Sequence, residues 1–324
     1  MLMEWSLLFD NFRNPALLFF VLGILASQLK SDLKVPENSS KFISLYLLFS
    51  IGFKGGQELA HSTFSNEILL ALGAGILLAL MVPIYVFFIA KLRFTLENSA
   101  AVAASYGSVS AVTFVTAVSF LEVQGLNYSG YMVAVMALME APSIMAGVIL
   151  LSLFQKGSFS YTRLLGVVRH AFTNGSVLLI LGSLFIGFFS SDSQAEGIAP
   201  FTTDIFKGFL SIFLLDMGLT CGSRLKGFAA QGSFALTLAI LLPLLNGIVV
   251  AYFSGFILTA VGDRLLLTIL AGSASYIAVP AAMRFAVPKA NPGLYLTMAL
   301  AITFPLNVMF GIPLYEYLIF NFFS

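Results

Sequence analysis

The stretch Ala271-Gly-Ser-Ala-Ser-Tyr276 decides how this chain is read, because Tyr106-Gly-Ser-Val-Ser110 writes the same Gly-Ser-x-Ser pattern 165 positions earlier in a chain of 324 residues. Aligning the two copies brings more of the sequence into register. Gly107, Ser108, Ser110 and Ala117 fall over Gly272, Ser273, Ser275 and Ala282. Upstream, SIGFKGG (Ser50 to Gly56) lies over DMGLTCG (Asp216 to Gly222) at an offset of 166, and downstream LMEAP, ending at Pro142, lies over ITFP, ending at Pro305, at 163. Any one of these matches is ordinary in apolar helices. The nearly constant offset points to an internal repeat.

Composition sets the solvent. Hydrophobic residues make up 59% of the chain and charged residues 10%, and mean hydropathy is +0.98, far from the usage of a soluble domain. Windows of roughly 20 apolar residues, enough to cross a bilayer as a helix, recur along the whole length, so the lipid bilayer is the expected environment. Cys221 is the single cysteine, which excludes an intramolecular disulfide and a cysteine metal site and leaves a small packing residue. The start, MLMEWSLLFDNFRNP, has no basic n-region and no A-x-A-like site, so no cleaved signal peptide is expected. A net charge of +1 gives no basic patch for nucleic acid.

Apolar windows between charged or Pro/Gly/Asn punctuation predict ten transmembrane helices, at 15–30, 39–58, 67–91, 97–121, 130–154, 174–191, 202–222, 231–256, 263–287 and 293–321. Sorting lysines and arginines by loop gives twelve on one side and four (Arg13, Lys54, Lys207, Arg264) on the other. The positive-inside rule then places both termini outside and the connection Gln155–Asn174 in the cytoplasm. The chain divides into residues 1–164 and 165–324. Each half holds five spans, an odd number, so the halves enter the bilayer in opposite senses: an all-α membrane protein of two inverted five-helix repeats. That arrangement characterises secondary transporters with a midplane site.

Both Gly-Ser-x-Ser copies stand where a helix can break. Gly107 and Gly272 are conformationally permissive, and Pro280 would leave the Tyr276 carbonyl without its helical partner. Unwound backbone survives at membrane depth only inside protein or beside an aqueous cavity. Two discontinuous crossing helices therefore present half-helix N-termini to an anion. The hydroxyls of Ser108, Ser110, Thr113, Ser273 and Ser275 would donate to it, and their lone pairs with freed carbonyls suit sodium. Small residues also serve close helix packing; repetition at inverted positions favours a site.

Two carboxylates fall within predicted spans, Glu140 and Asp216, and an ionisable group there costs ~2.5–3.5 kcal/mol or more near the centre, which marks it as functional by default. Glu140 precedes Pro142, and the matching region of the second half holds Thr303, Pro305 and Asn307. Glu140, Asp216, Thr303 and Asn307 are the candidates for cation coordination or gating, with a structural Asp216–Lys54 pair as the alternative for Asp216. Asp216 reads as the only intramembrane aspartate. Enzyme classes fall away: His61 and His170 sit in predicted loops, no G-x-G-D occurs, and no P-loop is present. Arg284 lies near a helix end, and without an arginine clamp a monoanion suits the site better than phosphate.

The segments AGSASYIAVPAAMR (271–284), LFSIGFKGGQEL (48–59), LLDMGL (214–219) and YGSVSAVTFVTA (106–117) resemble the SbtA-type sodium-dependent bicarbonate transporters of bacteria, over essentially the whole chain. The first crossing segment carries Ala111-Val112 where Gly-Ser is the family pattern. The resemblance implies a core domain sliding against a gate domain, as in the sodium/bile-acid symporters, assembled as a homotrimer in the inner membrane. It also implies bicarbonate at Ser110, Ser273 and Ser275 with sodium nearby as the only cofactor, and regulation by a PII-like cytoplasmic protein. Alternatives from the residues alone are a carrier of another small carboxylate, coupling to a proton on Glu140, and a non-transporting membrane sensor or scaffold.

Overall fold

A computed structural model describes residues 13–62, 64–155, 165–166, 169, 173–228 and 231–322. Most of the Gln155–Asn174 connection, His170 and the start of the chain, where the leader and linker expectations fall, lie outside these residues. The described residues form helices and no strand. In order they are α1 (Pro15–Gln28), α2 (Glu37–His61), α3 (Asn66–Ala90), α4 (Leu96–Gly107), α5 (Ala111–Gln124), α6 (Tyr131–Phe154), α7 (Gly175–Phe189), α8 (Asp192–Ala199), α9 (Phe206–Phe228), α10 (Gly232–Ser254), α11 (Val261–Ala271), α12 (Ala278–Ala286), α13 (Pro292–Thr297), α14 (Phe304–Leu306) and α15 (Ile312–Phe322). Wider π-type turns at 298–303 and 307–311 join the last three into one rod.

Local chemistry places several boundaries. Asn14 caps α1, its side chain accepting from the Ala16 amide at 3.0 Å, with Pro15 at the first helical position. Thr95 caps α4 and Asn174 caps α7 in the same way. α5 stops at Gly125, which takes the left-handed conformation (φ 66°) that favours glycine.

Among the described residues, six helical stretches are long and apolar enough to cross a membrane: Asn66–Ala90, Leu96–Gln124, Tyr131–Phe154, Asp192–Leu225, Gly232–Ser254 and Pro292–Asn321, with Pro15–Gln28 and Gly175–Phe189 apolar but shorter. Two expected spans are missing from that set for a physical reason. α2 is 25 residues long but carries Lys41, Lys54 and Glu58, and the α11–α12 stretch is interrupted over 272–277. Burial sorts the long spans: the Leu96–Gln124 window is 89% buried and the Asn66–Ala90 window 33%. The former is the centre of the molecule, and the latter turns leucines such as Leu69, Leu70 and Leu77 outward.

Close backbone approaches join the helices. α1 packs along α9 and α2 along α7. A Cβ on Gly52 would meet the Ile180 carbonyl, and one on Gly218 the Phe20 carbonyl; Gly56 lies against the Leu184 carbonyl and Gly222 against that of Ile24. The glycines aligned at the 166-residue offset thus do the same job on α2 and α9. α3 lies against α4 and α6, and α10 against α11 and α15. Gly107 sits under the Pro83 ring of α3 and Gly272 under the Pro243 carbonyl of α10, so each break is wedged against a proline-bearing helix.

Charges at one end of the bundle pair differently from the expectation. Lys54, inside the expected second span, pairs with Glu122 of α5 at 2.9 Å, while Lys207 approaches the other Glu122 oxygen at 3.6 Å. The Asp216–Lys54 pair is not formed. Because the Lys54 and Glu122 side chains keep 24% and 25% of their surface, Lys54→Met is expected to cost about 1 kcal/mol or less, read as a small shift in thermal unfolding in detergent.

Candidate functional site

α4 ends at Gly107, Ser108 is extended (φ −85°, ψ 178°), and α5 restarts at Ala111. In the second half α11 ends at Ala271 and α12 starts at Ala278. Pro280 falls in the first turn of α12, where helix amides lack partners in any case, so the break is not caused by its missing N–H as the sequence suggested. The two breaks touch. The Ser275 amide donates to the Ser105 carbonyl at 2.8 Å, the Ser105 hydroxyl returns a bond to the Ser275 carbonyl at 2.6 Å, and the Ser110 amide donates to Ser273 Oγ at 3.0 Å. Three polar bonds therefore tie the second break to the last turn of α4 and to Ser110 inside an apolar core, which is how non-helical backbone is tolerated at such depth.

The expected site serines divide by what their hydroxyls still have to give. Ser110 caps α5: its Oγ accepts from Thr113 N at 3.1 Å and from Thr113 Oγ1 at 2.8 Å. A hydroxyl has one proton and two acceptor positions, so what remains on Ser110 is a donor, and Thr113 acts through it. Ser275 accepts from Val279 N, a first-turn amide of α12, at 3.4 Å and likewise keeps its proton. Ser273 is spent, accepting from Ser110 and donating to the Leu270 carbonyl at 3.1 Å. Ser108 is fully buried and its hydroxyl has no partner.

A cavity of 10 Å³, room for a single water, lies between the breaks and is lined by Ser110, Glu140, Ser176, Ser275, Tyr276 and Ile277 among others. Ser110, Ser275 and Glu140 are so brought to one point from α5, the second break and α6. Glu140 is 9% exposed, and among the described residues no cation pairs with it. Ser176, Tyr276 and Ile277 also line a neighbouring cavity of 530 Å³ that holds Glu37, Ser40, Lys41, Asp216 and Arg224. Asp216 belongs there rather than with Glu140, and accepts a hydrogen bond from Ser40 Oγ. The small cavity thus adjoins a wide vestibule on the end of the bundle that carries Lys41 and Arg224.

Thr303 and Asn307 reach the breaks and not the cavity. Thr303 Oγ1 donates to the Ala239 carbonyl at 2.7 Å, which leaves the Tyr106 hydroxyl, 2.8 Å away, as the donor to it. Asn307 Nδ2 donates to the Gly272 carbonyl at 2.8 Å, one residue past the end of α11, and Tyr315 and Asn246 secure the Pro243 and Ala271 carbonyls beside it. Asn307→Leu would strand the buried Gly272 carbonyl. The expected loss is about 1–3 kcal/mol of stability, measurable by thermal unfolding, with weaker transport at unchanged expression.

Sequence reasoning missed other buried charges. Asp263, 1% exposed, accepts from Ser129 N (2.6 Å), Ser129 Oγ (2.7 Å) and Tyr131 Oη (2.8 Å), so Asp216 is not the only enclosed aspartate. Arg264, assigned to a loop, is 5% exposed and donates to Ser254 Oγ and the Ile319 carbonyl. Glu316 is 2% exposed. α11 begins at Val261, two residues before the expected start at 263, and its first turn is packed inside the bundle rather than held at its edge; an aspartate beside Gly262 at a helix start was the available signal. None of the three lines the cavity between the breaks.

The model of the Na+-dependent bicarbonate transporter superfamily matches residues 15–320. The chain belongs to this superfamily. The resemblance carried by its motifs therefore holds along nearly the whole described length, and the protein is a multi-pass membrane protein of a transporter family rather than an enzyme. No curated protein matches it significantly. The Ser110–Ser275–Glu140 cavity brings hydroxyls that keep a proton and a carboxylate without a described cation to one enclosed place.

Proposed function

We propose that this superfamily member is a sodium-coupled symporter that imports bicarbonate by alternating access across the bacterial inner membrane. The anion docks between the two helix breaks on the protons of Ser110 and Ser275 and the first amides of α5 and α12, whose partial positive charge suits a monoanion. Sodium binds with Glu140, offsetting the carboxylate that faces the same cavity. The observation that carries this reading is the convergence of Ser110, Ser275 and Glu140 on one cavity at the meeting of two broken helices.

In this reading the chain has ten spans in two inverted halves, 1–164 and 165–324. What supports it is the exchange of contacts between them: α2 rests its glycines on α7 as α9 does on α1, and Gly107 and Gly272 each pack against a proline-bearing helix. α1, α2, α7 and α9 form the gate and the remaining helices the core. The vestibule holding Lys41 and Arg224 faces the cytoplasm, as the excess of basic residues on that side requires, so the described conformation is open inward and both termini lie outside. By the resemblance the protein assembles as a homotrimer and answers to a PII-like regulator.

Uptake of radiolabelled bicarbonate into proteoliposomes, with and without an inward sodium gradient, tests this. Accumulation that needs sodium is expected. Uptake that follows a pH gradient with sodium absent would transfer the coupling to a proton on Glu140; preference for a small carboxylate would change the cargo; no flux of any anion would leave the sensor or scaffold reading.

A further inference from the structure

Tyr276 has no part in the site as the sequence defines it, yet its hydroxyl is the most conspicuous uncommitted donor beside the cavity. The residue is 8% exposed and its Oη has no partner in hydrogen-bonding geometry, although it lies near enough to Ser110 to interact with it. Four other buried tyrosines use theirs: Tyr106 with Thr303, Tyr315 with the Pro243 carbonyl, Tyr131 with Asp263, Tyr46 with the Phe201 carbonyl. A buried hydroxyl without a partner costs about 1–3 kcal/mol, and such a group in a native structure calls for an explanation. The ring cannot swing away to recover that cost. It sits in the second break itself, edge-on to Phe304 with centroids 5.6 Å apart, and it lines both the small cavity and the vestibule.

We infer that the Tyr276 hydroxyl is a hydrogen-bond donor to the transported anion and a determinant of its selectivity, placed at the passage between vestibule and site. This rests on the anion site proposed above. With Ser110 and Ser275 it supplies three hydroxyl protons around one small volume, an arrangement that rewards an anion with several accepting oxygens. It gives less to chloride, whose larger, more diffuse charge accepts weaker bonds.

The test is Tyr276→Phe, which keeps the ring and removes the donor. Uptake of labelled bicarbonate and, separately, acetate is measured in proteoliposomes under a sodium gradient, at matched amounts of inserted protein. A hydrogen bond to a charged group is worth about 1.5–3 kcal/mol, so KM for the carried anion is expected to rise about tenfold or more, with the maximal rate within about twofold and chloride inhibiting the variant at lower concentration relative to that anion. A merely structural tyrosine would move the maximal rate and leave selectivity unchanged. If wild type carries acetate in place of bicarbonate and the variant weakens it, the hydroxyl assignment stands while the bicarbonate reading falls. A variant with wild-type KM overturns the assignment even where sodium-driven bicarbonate uptake is intact, and a wild-type protein that moves neither anion overturns both.

Discussion

Glu140→Gln is expected to lower sodium-driven anion uptake by about a hundredfold and at the same time to make the sodium-free protein more resistant to heat. The two effects share a cause. Keeping a carboxylate in the middle of a bilayer protein costs about 2.5–3.5 kcal/mol or more, and here no described cation offsets it, so the amide is the more comfortable occupant of an empty site. A coupling ion that binds the carboxylate returns that free energy. Losing it corresponds, at 1.4 kcal/mol per tenfold, to about two orders of magnitude in sodium affinity. Added sodium is therefore expected to stabilise the wild-type protein, since a ligand that binds only the folded state raises its stability by mass action, and not the variant. Thermal unfolding in detergent across a sodium series, with potassium as control, reads this directly. Equal sodium responses in the two proteins would remove Glu140 from the coupling site.

Gly218→Leu is expected to prevent formation of a stable folded protein, whereas Gly208→Leu on the same helix is tolerated. A Cβ at Gly218 would be placed on the Phe20 carbonyl, with the Gly23 Cα and Ile24 amide both at 3.0 Å; around Gly208 there is nothing within 4 Å. All the atoms obstructing Gly218 are main chain of α1, so no side chain can turn aside, and α1 and α9 would have to separate along their length. Overpacking a core ordinarily costs about 1–3 kcal/mol where neighbours can yield; with rigid backbone on both sides the expected cost lies above that range. Size-exclusion profiles and thermal midpoints of the two variants give the comparison, and a monodisperse Gly218→Leu protein with an unchanged midpoint would contradict the packing described.

The membrane class, the positions of most helices and the two break points were legible in the chain itself. A bilayer demands apolar stretches of a set length, and backbone polarity allows interruption only at residues such as those around Gly107 and Gly272, so these features are written locally. The repeat made Ser110 and Ser275 visible as a pair, and the cavity contains both. Ser273 shows the limit of that logic: it is as repeated as they are, but its hydroxyl is consumed in tying the breaks together.

Partnership was not written locally. The alignment set Lys54 near Asp216, but Lys54 reaches Glu122 on α5 and Asp216 takes its bond from Ser40, because the two charges belong to different ends of the bundle. Thr303 and Asn307, polar beside a proline and so candidates for a cation, serve the carbonyls that the breaks leave open. Asp263 and Arg264 stood at the expected edge of a span, and packing of the α11 start buries both. The sequence by itself determined the solvent, the spans and the places where a helix must break, since each depends on a residue and its near neighbours. Only the tertiary structure decided which hydroxyls keep a free proton, which carboxylate faces a cavity without a cation, and that Tyr276 stands between vestibule and site. Those depend on which helices meet, and helices far apart in the chain meet only on folding.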